Sequence, residues 1–67
     1  MALSMKERIA FRIGARARKF LLEDCPVDGY DYLYACLREA KESDPELYTL
    51  LQNEVVKFEK RVEAMQE

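Results

Sequence analysis

The chain contains no histidine. That removes the side chain most often used as a general base near neutral pH. No Ser-His-Asp set, no histidine-bearing metal motif and no Glu-x-x-His di-metal signature can be assembled from what remains. Cysteine is scarce: Cys25 and Cys36 are the only two. Two thiols are too few for a disulfide scaffold and cannot fill a four-ligand zinc site within one chain. They read as small apolar packing residues, free thiols in a reducing, cytoplasmic compartment. Glycine occurs twice, at Gly14 and Gly29, each isolated, so no glycine-rich phosphate loop exists. No stretch approaches the roughly 20 apolar residues that span a bilayer. These absences together predict a chain that is not an enzyme and holds neither a metal nor a cofactor.

What is present is a small globular composition. Of 67 residues, 49% are hydrophobic and 36% charged, too apolar for a disordered chain. A chain this short buries only about 60% of the surface that its unfolded form exposes. One core of that size supplies a few kcal/mol at most, so a second subunit is an expected source of stability.

Helix signals divide the chain into three. Ser4-Met5-Lys6-Glu7 fits a capping box, in which the serine hydroxyl accepts from an amide and Glu7 reaches back. The first helix is expected to run from about residue 4 to 22 or 23. Pro26 pushes Cys25 toward extended geometry, so residues 24–29 read as a turn. The second helix is expected over 29–42, with Asp28 as its N-cap and Asp31 in its first turn. The alternation Tyr30-Asp31-Tyr32-Leu33-Tyr34 also suits a short strand, but no partner strand is in sight. Ser43-Asp44-Pro45-Glu46 is the clearest boundary. Asp44 suits N-cap, Pro45 suits the first helical position, and Ser43 with Glu46 matches a second capping box. The third helix then covers about 45–65. Short connections make each helix antiparallel to the one before it. The expected fold is a single all-α domain, a three-helix antiparallel bundle, completed by oligomerisation.

Tyr48, Leu51, Val55, Phe58, Val62 and Met65 follow a three–four spacing along the third helix. That is either the core side of a bundle helix or a coiled-coil contact with another chain. The first helix is less ordinary. Ile9, Ala10, Ile13, Gly14, Ala17, Phe20 and Leu21 share one broad arc, whereas Phe11, Ala15 and Leu22 form a second apolar strip. Between them lie Arg8, Arg12, Arg16 and Lys19. One strip is expected to face the chain's own core and the other a second chain. Ala10, Gly14 and Ala17 are small enough to admit a close helix.

Charge is divided along the sequence. Residues 4–22 hold six bases and one acid, a net of +5, and residues 23–67 hold five bases and twelve acids, a net of −7. The arginine-rich start has the composition of a mitochondrial transit peptide, but its helix start signal and its direct continuation into the domain oppose that reading. Arg8, Arg12, Arg16 and Lys19 are expected to meet carboxylates: the chain's own, such as Glu39, Glu42, Glu54 and Glu59, those of another subunit, or those of an external partner. Phosphate and an anionic membrane surface are weaker alternatives. A helix-turn-helix reading is disfavoured, because the third helix opens on Asp44-Pro45-Glu46, where acids would repel phosphate. Tyr30, Tyr34 and Tyr48 join Phe11, Ala15 and Leu22 as expected contact residues, since tyrosine is enriched at interface hot spots.

The expected function is therefore a non-catalytic helical protein–protein interaction module. It would be a small regulator or adaptor that pairs with itself as a homodimer and binds another protein. Nucleic-acid binding through the basic stripe is the alternative.

Overall fold

The computed structural model describes residues 3–66. Three helices, α1 (Met5–Leu22), α2 (Pro26–Ser43) and α3 (Pro45–Gln66), pack against one another in an up-down-up bundle. Among the described residues there is no strand, and no helix is long and apolar enough to cross a membrane. Tyr30–Tyr34 lies inside α2, so the competing strand does not form.

α1 begins where the capping box places it. The Glu7 amide donates to Ser4 Oγ at 3.2 Å, and the Ser4 amide donates to Glu7 Oε1 at 3.1 Å. It ends in a Schellman arrangement: the Cys25 amide donates to the Phe20 carbonyl and the Asp24 amide to the Leu21 carbonyl. Asp24 takes the left-handed position there, at φ 61°, where glycine is usual.

α2 starts earlier than the sequence suggests. Pro26 is its first residue, a position where the missing N–H costs nothing, and Cys25 is the N-cap without a side-chain capping bond, its thiol donating instead to the Glu23 carbonyl at 3.4 Å. Asp28 is thus within the first turn and is not the cap. Gly29 is a core position rather than part of a turn. Ser43 closes α2, its hydroxyl donating to the Glu39 carbonyl at 2.9 Å, so no Ser43–Glu46 capping box forms. Asp44 caps α3 through Oδ1, which accepts from the Leu47 amide at 3.3 Å.

Two apolar clusters make the core. Ala17, Leu21, Leu33, Val55 and Phe58 form one, with Tyr30 edge-on to Phe58 at 4.8 Å. Ala10, Ala40 and Leu51 form the other, with Leu37, Leu47 and Tyr48 against it. The spaced stripe of α3 therefore turns inward over Leu51–Phe58, while Met65 at its end is exposed. Gly29 lets α2 close on both neighbours: a methyl group there would stand 2.5 Å from Phe58 Cζ and 3.1 Å from the Ala17 carbonyl oxygen.

Candidate interaction face

Four residues of α1 point at the core: Ala10, Gly14, Ala17 and Leu21. At 100° per residue, Arg8, Arg12, Arg16 and Lys19 occupy the opposite side, and all four are exposed. Among the described residues none of them enters an ion pair. This corrects the expectation that the stripe meets the chain's own Glu39, Glu42, Glu54 and Glu59. The physical reason is rotation: the stripe lies on the side of α1 opposite its core residues, where Arg12 and Arg16 border Tyr32 of α2 and, among the described residues, no acid comes within ion-pair distance. The cations of α1 that are paired lie elsewhere on it. Lys6 donates to Asp44 Oδ1 at 3.1 Å and to Glu46 Oε2 at 3.3 Å, fastening the start of α1 to the α2–α3 turn. Those two hydrogen bonds raise the Lys6 ammonium above its ordinary pKa, and the first of them holds the Asp44 carboxyl below its own.

The second apolar strip is left uncovered by its own chain. Phe11 is 56% exposed and Leu22 is 89% exposed, with Ala15 half-buried between them. The strip borders the groove between the parallel helices α1 and α3. At one end Leu3, Ala10, Phe11 and Leu50, together with the polar Glu7, Asn53, Glu54 and Lys57, surround a hollow of about 160 Å³. At the other, Leu21, Leu22, Ala64 and Met65 surround a cleft of about 470 Å³, flanked by Arg18 and Arg61. Leu50, Arg61 and Met65 were not singled out as surface residues by periodicity. Only the packing of α3 beside α1 brings them to the strip.

A buried carboxylate lines the first of these hollows. Glu54 is 6% exposed, with Arg18 Nη1 3.8 Å from its Oε2 and Lys57 Nζ 3.9 Å from its Oε1. Oε2 has no hydrogen-bond partner. Gly14 makes the room, since a methyl group there would lie 2.7 Å from Oε2 and 2.8 Å from Cδ. The small residues expected to admit a helix thus admit the chain's own helices, Gly14 facing α3 and Ala17 closing on Gly29 of α2. The Arg18 guanidinium also lies over the Phe11 ring, 5.6 Å from its centroid, which holds the ring at the lip of the groove.

The tyrosines divide between core and surface. Tyr30 and Tyr48 are half-buried against the two clusters, whereas Tyr34 is exposed and stacks on Tyr30 at 6.1 Å. Burial pushes the Tyr30 hydroxyl up, with Glu59 and Glu63 nearby adding to it. Cys25 and Cys36 are free thiols, half-buried, and burial raises the Cys36 thiol. Eleven residues separate them, about 16 Å along a helix. That is beyond the roughly 7 Å between Cα atoms that a disulfide tolerates.

The face thus offers apolar anchors, a cationic rim and two shallow hollows. Among the described residues no cluster of three or more acidic or thiol side chains could hold a metal ion. Comparison with protein-family models, with curated proteins and with solved structures finds no match to this chain.

Proposed function

We propose that this chain is a non-catalytic helical interaction module, a small regulator or adaptor that docks a protein on the α1–α3 face. One observation carries this: Phe11 and Leu22 remain exposed on a helix that already commits Ala10, Gly14, Ala17 and Leu21 to the core. Exposed apolar strips rimmed by charge are characteristic of binding surfaces. Pairing with a second copy is the narrower form of this reading. A two-fold contact through this face would set its cations against their own counterparts, so a distinct protein partner is the better fit.

The test is photo-crosslinking in cells that carry this protein, with a photoreactive phenylalanine at position 11 or 22. Adducts of defined mass should form from those positions and not from position 56 on the far side of α3. If yields are equal at all three positions, or if no adducts form, the assignment of the face fails. A second reading is favoured by the four unpaired cations of α1, which could track a phosphate backbone. Retention on duplex DNA that falls steeply with salt and vanishes in Arg12→Glu/Arg16→Glu would support it.

A further inference from the structure

We propose that the groove between α1 and α3 receives an acidic amphipathic helix from another protein. This rests on the reading above that the face is an interaction surface, and it adds the chemistry and dimensions of the occupant.

Charge is the first argument. Arg8 and Lys19 follow Phe11 and Leu22 round α1, while Arg61 lines the α3 bank, and among the described residues none of the three is in an ion pair. The acids on these banks are engaged already: Glu7 with Ser4, Glu46 with Lys6, and Glu54 with Arg18 and Lys57. An incoming surface therefore meets uncompensated positive charge on both sides of an apolar floor. Acids flanking an apolar stripe are the complement of that pattern.

Spacing is the second. The two hollows are associated with Phe11 and Leu22, eleven residues apart on α1. Eleven residues of helix rise about 16 Å and return to nearly the same face. A helix lying along the groove would fill both hollows with apolar side chains at the same separation, with small residues over Ala15 and acids on either flank. Such a helix would also complete a four-helix bundle.

Other occupants fit less well. The chain's own α2 is acidic, but its exposed apolar residues, Val27 and Tyr34, are only seven residues apart, about 10 Å. A second copy using that face would leave one hollow empty. Phosphates would satisfy the cations and leave the apolar floor in water. An anionic membrane would lie across the ridges without entering the hollows.

The experiment uses a fluorescein-labelled glutamate/alanine peptide of about 18 residues, with leucines four, three and four residues apart so that the outer two are separated by eleven. Fluorescence anisotropy should show binding that weakens about tenfold or more between low and moderate salt. Phe11→Ser and Arg61→Glu should each weaken it about tenfold, and Val56→Ser should leave it unchanged, with circular dichroism confirming that every variant is folded. The same peptide with lysine in place of glutamate should not bind. Absence of binding by the acidic peptide overturns the proposal, as does an unaltered affinity in Phe11→Ser. So does tighter binding, through the same residues, of a DNA duplex, of phosphatidylserine vesicles or of a second copy detected by light scattering. If the peptide fails while crosslinks from positions 11 and 22 persist, the face is an interface with a different occupant. If both fail, the interaction reading falls with it.

Discussion

Gly29→Ala should destabilise the bundle substantially, although it replaces glycine by the best helix former inside a helix. In an open helix the change would gain about 1 kcal/mol. At position 29 the new methyl group would meet Phe58 Cζ at 2.5 Å, Phe58 Cε2 at 2.9 Å and the Ala17 carbonyl oxygen at 3.1 Å. The carbonyl is backbone and cannot swing aside. The ring is 2% exposed, stands edge-on to Tyr30 and shares a cluster with Leu33 and Val55, so its retreat would disturb both. Overpacking of this kind costs about 1–3 kcal/mol and reaches the upper end when no neighbour can move. Set against the helix gain, a net loss of about 2 kcal/mol remains. For a domain of this length that lowers the melting temperature by about 8–16 °C. Thermal melts followed by circular dichroism at 222 nm measure it. The Phe58→Leu background supplies the control, because leucine lacks the two ring atoms closest to position 29. There the glycine-to-alanine change should become neutral or stabilising. A melting temperature unchanged or raised by Gly29→Ala in the wild-type background would refute the close approach of the three helices at this point.

Further outcomes follow from the same packing. Gly14→Ala should be neutral or mildly destabilising in the wild type but gain about 1 kcal/mol in a Glu54→Ala background, since the new methyl group collides only with the Glu54 carboxylate. A double-mutant cycle with no coupling would contradict that placement of Glu54. Asp24→Gly should raise stability by about 0.5–1 kcal/mol, because glycine adopts the left-handed helix end without strain, and urea titration would detect it. Arg12→Glu/Arg16→Glu should leave the melting temperature within a few degrees of wild type, because neither side chain has an ion-pair partner among the described residues. A large fall would reveal a structural role. The Lys6 ammonium holds the Asp44 carboxyl below its usual range, and the Ser4 amide does the same for Glu7. Depressed carboxyl groups contribute stability above their unfolded pKa and lose it as pH falls through the folded one. Melting temperature should therefore decline below about pH 4, and Asp44→Asn should flatten that decline.

Local chemistry was legible in the amino-acid order. The Ser4–Glu7 capping box, Asp44 before Pro45, and the inward stripe Leu51–Val55–Phe58 depend on residues within one or two turns of each other, so one dimension suffices to read them. So does the division of α1 into two apolar strips and a basic stripe, because helical periodicity alone fixes those angles. The start of α2 was misread because Pro26 has two meanings: it blocks a helix behind it and is welcome at the first position of one ahead. Everything that depends on which helix lies beside which was decided by the tertiary structure. Gly14 and Glu54 are forty residues apart, and nothing near either reveals that one makes room for the other. Arg18 rather than the arginine stripe receives Glu54 because the rotation of α1 about its axis is set by Ala10, Gly14, Ala17 and Leu21 seeking the core. The same rotation leaves Phe11 and Leu22 outside, and the parallel approach of α3 adds Leu50, Arg61 and Met65 to them. Periodicity prescribes what each helix face carries, whereas the pairing of faces is a property of the whole packed bundle.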